Sequence, residues 1–183
     1  ITEEVPCSFS IDPRNFFPDP ACGDDVQRGS YTWEFDALSA RVIEDMKQDP
    51  SYIHDQLDKL LRQGPLKIGE KAPDSPAGAS TETAIVGSTF GVWYFYGMVN
   101  RETLEACGIP DDMLAEGRDS IQAIVTMIND EVVKCALNPL ERGGFPYDVM
   151  PWQRRAGMLW GMGVARQIRT AQRMLNAAAR AMM

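Results

Sequence analysis

Residues 151–183 hold six arginines and not one Asp or Glu, in a chain whose formal charge is −8. The first 150 residues therefore carry 12 basic and 26 acidic side chains, a balance of −14. Within the basic tail, Val164, Ile168, Ala171, Leu175, Ala178 and Met182 recur at spacings of 4, 3, 4, 3 and 4. At about 100° per residue they form one stripe, a heptad seam, which no strand period can accommodate. Arg166, Arg169, Arg173 and Arg180 fall in a narrow sector on the opposite side, flanked by Thr170 and Asn176. The pattern predicts a helix from about Val164 to the end of the chain, with one face packed against another helix and the other a row of like charge. A merely solvated face ordinarily mixes Lys with Glu at i,i+4, whereas four clustered arginines repel one another unless an anion answers them. The expected anion is a carboxylate of the chain's own acidic body, an acidic surface of a neighbouring copy, or nucleic-acid phosphate, with the carboxylates favoured for Arg166, Arg169 and Arg173.

The rest of the chain follows other periods. "VPCSFSIDPRNFFPDPACGDD" reads as a strand leading into an extended, turn-rich loop. "GSYTWEFD" alternates Tyr31, Trp33 and Phe35 on one face of a half-buried strand. Two short helices follow. Ser39 caps the first, with Val42, Ile43 and Met46 as its stripe and Pro50 as its stop; Ser51 caps the second, with Ile53, Leu57, Leu60 and Leu61 as its stripe and Gly64 as its stop. "GEKAPDSPAGASTET" is an exposed connector. "TAIVGSTFGVWYFYGMV" is β-branched and aromatic, hence strand, with Gly87 and Gly91 marking a break or bulge. Asn100 caps a short helix that Gly108 and Pro110 end, and "SIQAIVTMINDEVVKCALNP" is a hairpin turning at Asn129-Asp130. No steady βαβ alternation appears. The fold class is α+β: mixed short strands with a β-hairpin, short helices and one long C-terminal helix, arranged as a body over 1–150 and a linker plus helix over 151–183.

Catalytic signatures are missing from the sequence. His54 is the only histidine and sits beside Asp55 and Asp58 in a predicted helix, with no Ser or Cys in a nucleophile motif. Gly161-Met162-Gly163 lacks the third glycine of a dinucleotide fingerprint, and the glycines of "GSTFG" open no helix. Cys7, Cys22, Cys107 and Cys135 form no CxxC pair, which indicates reduced, partly buried thiols in a reducing compartment rather than a zinc site. Asp12, Asp19, Asp24 and Asp25 share a loop that offers oxygen ligands to a hard cation, but three prolines and the wrong spacing for an EF-hand favour a structural turn. The expectation is no enzyme, no metal and no cofactor. No apolar run approaches a membrane span, and "ITEEVPCSFS" is not a signal peptide. The chain reads as soluble and as a piece of something longer, since it lacks an initiator Met and ends without a cap.

"FPYDVMPWQRRAGMLWGMGVARQIRTAQRMLNAAARAMM" combines a Phe-Pro-Tyr segment, a Pro-Trp turn, a Gly-x-Gly lead into a long helix, and Gln-Arg-x-x-Asn on that helix. In this it resembles the portal (head-to-tail connector) proteins of tailed bacteriophages. "DPRNFFPDPACGDD" followed by "SYTWEFDALSARVIEDM" is similar to the segment of those proteins that leads from a Phe-Pro-Asp loop through a Trp/Phe strand into a helix. The "VWYFYGMV" strand and the hairpin extend the resemblance over most of the chain. It implies a structural ring, typically a dodecamer, at one capsid vertex of the virion, assembled in the host cytoplasm. Viral double-stranded DNA would pass through the channel, and the terminase, tail adaptor and capsid proteins would dock on the ring; no membrane is involved. The body would be the wing, and the last helix the start of a stem or tunnel helix. Two other classes compete with this reading: a nucleic-acid-binding module gripping phosphates through the arginine helix, which the acidic body disfavours, and a metal-dependent hydrolase, which lacks a His ligand and a second carboxylate cluster.

Overall fold

The computed structural model describes residues 8–65, 89–110, 113–114, 117–140 and 144–182. Strands β1 (Phe16–Pro18), β2 (Tyr31–Ser39), β3 (Thr89–Asn100), β4 (Ser120–Ile128) and β5 (Glu131–Leu137) form one five-stranded sheet in sequence order. From β2 to β5 every neighbouring pair is antiparallel. Helices α1 (Ala40–Met46), α2 (His54–Gln63) and α3 (Arg101–Ala106) are short, and α4 (Val164–Ala181) is long. The α+β class is as the sequence indicated.

Two-residue periodicity builds the sheet. Phe90 and Val92 of β3 and Ile128 of β4 point to one face, where Ile43 of α1 and Leu57 and Leu60 of α2 pack on them. These side chains are almost wholly removed from water, and each buried Leu or Ile contributes about 1.5–3 kcal/mol. The β4–β5 register shifts between Thr126 and Met127, and the extra residue of this bulge, Val133, is buried in the same cluster. Its carbonyl accepts a bond from the Ile53 amide at 2.8 Å, which ties the start of α2 to β5. The opposite face carries aromatic pairs: Trp33 against Phe95 (4.7 Å between centroids) and Phe35 against Trp93 (4.9 Å), each pair directly opposed across β2 and β3. A second cluster, Leu104 and Leu114 on Ala123, seats α3.

The β4–β5 hairpin turns at Asn129 (φ 50°) and Asp130 (φ 68°), the left-handed pair that a two-residue loop requires. Asn129 Nδ2 also donates to Gly64 O at 3.2 Å, satisfying a carbonyl at the end of α2, and Gly64 itself has φ 77°.

Some local expectations are corrected, whereas the turns expected in the loop of Asp12, Asp19 and Asp25 are present. The segment before β1 is not a strand over its described part. Pro13–Asn15, Pro20–Cys22 and Val26–Arg28 are 3₁₀ turns, because Asp12, Asp19 and Asp25 each accept from an amide two residues on. Ser51 does not cap α2; the cap position is Ile53, and the Ser51 amide instead donates to Asp49 Oδ1 at 2.9 Å. Ser39 and Asn100 do occupy the cap positions of α1 and α3, without a side-chain bond. Gly91 does not interrupt β3, whose register with β2 is continuous through the Ala37–Gly91 pair. The connector and Gly87 lie outside the described residues, as does Cys7.

The contacts divide the chain into two compact units, one of residues 1–17 and 31–143, the other of residues 18–30 and 144–183.

Candidate functional site

The second unit carries the arginine row, and it is held by polar clasps rather than by regular structure. Asp19 is only 8% exposed; Oδ1 accepts from the Ala21 amide and Oδ2 from the Ser30 amide, both at 2.8 Å. These bonds, the Ser30 one foremost, hold its carboxyl below the usual range. Gln27 reaches across 118 residues: its Nε2 donates to Phe145 O and Tyr147 O at 2.9 Å, and its Oε1 accepts from the Phe145 amide at 2.8 Å. One amide side chain thus fixes the loop over 18–30 to the segment after residue 144.

The segment leading into α4 closes on itself just as tightly. The Met162 amide donates to Gln153 O at 2.9 Å. A Cβ at Gly161 would stand 2.4 Å from Pro151 Cβ and 2.5 Å from Gln153 O, so only glycine fits there. Gln167 on α4 bonds to Gln153, mooring the first turn of the helix.

Every described residue of α4 is exposed. It begins at Gly163 without a side-chain cap, buries no residue, and spans about 27 Å. Val164, Ile168, Leu175 and Met182 of the predicted seam are 46%, 54%, 66% and 83% exposed, and Ala171 and Ala178 are exposed with them. The seam lies on one helix face, and every one of its residues is exposed. Arg166, Arg169, Arg173 and Arg180 are all exposed, and among the described residues none of the four forms an ion pair. Arg180 lies in the last turn, where a cation meets the negative end of the helix dipole. Met150, Trp152, Met158 and Trp160, just before the helix, are exposed too. Their sequence signal was an aromatic run without period, which predicts irregular structure but not which side is bare.

The acidic loop is occupied by its own backbone. Asp12 accepts from Arg14 Nη2 at 2.6 Å as well as from the Arg14 amide, and the guanidinium brings its pKa down to about 2. Asp25 accepts from the Gln27 amide at 3.0 Å, and Asp24 pairs with Arg28 at 3.5 Å. A cleft of about 300 Å³ lies among Asp24, Asp25, Asp148, Arg28, Arg154 and Leu159. Among the described residues, no three acidic, histidine or cysteine side chains are grouped to hold a metal ion. His54 is exposed, its Nε2 3.4 Å from Asp49 O, and no described helix is long and apolar enough to cross a membrane. Cys22, Cys107 and Cys135 are free thiols; burial, then the neighbouring Cys107, pushes Cys135 up to about 12, which makes it a poor nucleophile.

Comparison with protein-family models and with curated proteins finds no match to this chain.

Proposed function

We propose that the protein is a structural subunit of a portal ring at a viral capsid vertex, the channel through which double-stranded DNA is packaged and ejected and on which terminase and tail dock. The observation that carries this reading is α4, an 18-residue helix with no buried residue, an apolar seam on one side and, on the other, an arginine row without an ion pair among the described residues. An exposed seam of this kind has its physical reason in an assembly, where a neighbour covers it. The acidic body suits a channel as well: a balance of −14 over the first 150 residues repels a polyanion, so that DNA slides rather than sticks. The bonds that moor α4 to Gln153 fix the direction in which the helix is offered to that neighbour. By the resemblance, the ring is a dodecamer, found in the host cytoplasm during assembly and afterwards in the virion. The role requires no cofactor and no catalytic group.

The competing reading, a nucleic-acid-binding module, draws on the same four exposed arginines. Light scattering on the purified protein separates the two. The portal reading expects a single large species of roughly dodecameric mass; a monomer that retards duplex DNA on a gel would replace it with the binding module.

A further inference from the structure

We infer that the apolar seam of α4 packs on the α4 helices of further copies of this chain, side by side, with the arginine row turned away from the contact. The inference rests on the ring reading and names the neighbour that covers the seam. At about 100° per residue, Arg166, Arg169, Arg173 and Arg180 fall within about 60° of the helix surface. The seam lies opposite them. Its two edges are Ala165, Gln172 and Ala179 on one side and Gln167, Met174 and Ala181 on the other. Seam and edges together cover about 200°, carry no charge, and are exposed throughout. Gln167 already bonds to Gln153, so the contact begins beyond the first turn.

This distribution of charge selects the occupant. The positions flanking a heptad seam meet the partner, and charges there set its identity and orientation. On α4 they are uncharged, so two such helices approach without setting arginine against arginine, whereas an acidic partner or a phosphate backbone finds no cation at the rim and would lose its hydration against an apolar face. Interlocking of side chains along a seam also requires a second helix of the same period and comparable length. Among the described residues only another α4 is such a helix. Helices α1, α2 and α3 have 7, 10 and 6 residues, and their buried Ile43, Leu57, Leu60 and Leu104 are committed to the sheet.

Width and area favour several copies over two. A helix about 27 Å long and about 10 Å across presents at most about 270 Å² to one neighbour, a third of the roughly 800 Å² per partner in a stable pair. A sector of about 200° is also wider than the stripe that a two-stranded coil uses, and leaves one edge for a helix on each side. Cyclic symmetry sets successive helices parallel, and a closed ring gives every α4 two neighbours.

The test places a charge at the middle of the seam, as Leu175→Glu and as Leu175→Lys, with Leu175→Met as the volume-conserving control. Because α4 buries no residue, each form should keep its fold, which circular dichroism checks. Sedimentation velocity then gives the concentration at which half of the protein is assembled. Both charged forms should raise it at least about tenfold, since each leaves an unpaired charge in a desolvated contact, and Leu175→Met should leave it within about threefold. An equimolar mixture of the Glu and Lys forms should recover part of the loss, because residue 175 of one copy meets the seam of the next. Assembly undiminished by either charge overturns the inference and leaves the ring standing on other contacts. Weakening by Glu alone, with Lys neutral or strengthening, overturns it in favour of an acidic surface, and a mixture that recovers nothing overturns the pairing of α4 with α4. A protein that is monomeric at every concentration removes the ring reading and this contact together.

Discussion

Gly161→Ala is the substitution that most sharply tests how α4 is seated. The new methyl would stand 2.4 Å from Pro151 Cβ and 2.5 Å from Gln153 O, and neither neighbour is the free end of a flexible side chain. Restoring an ordinary carbon–carbon separation of about 3.6 Å moves one side of the turn by about 1 Å. The Met162–Gln153 bond, 2.9 Å long, crosses the same gap and cannot survive that displacement. Overpacking costs about 1–3 kcal/mol and the lost bond about 1 kcal/mol, so the seat is weakened by about 2–4 kcal/mol. Native-state hydrogen exchange reads this directly: the Met162 amide should lose protection on the order of a hundredfold. Gly163→Ser is the control. A Cβ at Gly163 meets nothing within 4 Å, and a serine there adds the cap that α4 lacks, for a gain of a few tenths of a kcal/mol, about the usual difference between the two residues. Protection in Gly161→Ala within about threefold of the unaltered chain would refute the close approach and, with it, the account of how α4 is aimed.

Three further outcomes follow from the same geometry. Leu57→Ala empties the centre of the cluster under α1 and α2, where Leu57 is fully buried, and should cost about 2–5 kcal/mol in urea unfolding; a loss below about 1 kcal/mol would contradict the packing. Asp130→Gly relieves a non-glycine residue at φ 68° and should raise stability by about 0.5 kcal/mol, so a lower urea midpoint would contradict the turn assignment. Asp19 has a folded pKa below its unfolded value of 3.8, so its contribution is complete above that pH and is lost as pH falls through the folded value. The unit containing residues 18–30 should therefore lose stability in acid, and Asp19→Asn should flatten the acid limb of its stability profile; an unchanged limb would show that the Ser30 and Ala21 bonds do not favour the charged carboxylate.

The parts of the fold that were legible in the sequence are those encoded by a period or by a residue with one conformational use. Tyr31, Trp33 and Phe35 alternate and β2 follows; Asn129-Asp130 tolerate the left-handed turn and the hairpin closes there; Val164 opens α4 in both readings. What escaped notice depends on contacts between distant residues. Ser51 looked like a cap, but the Asp49 carboxylate competes for its amide, and the Ile53 amide is taken by Val133 O from another element. The structural turns expected of the Asp12–Asp25 loop are there, each headed by an aspartate, and only the strand expected ahead of them is missing over its described part. Gln27 is one polar residue in an acidic loop, and nothing local marks it as the residue that clasps Phe145 and Tyr147. For the candidate site, helical period and charge placed seam and arginines on opposite faces; the helix packing expected for the seam has no counterpart among the described residues of its own unit.

Electron microscopy of the purified protein in negative stain tests the central claim most directly. The account predicts rings of uniform diameter with a stain-filled central hole, each subunit contributing one α4 to a contact with its neighbour. A field of single globular particles, at concentrations where the protein retards duplex DNA through Arg166, Arg169 and Arg173, would contradict the ring and make the arginine helix a phosphate grip.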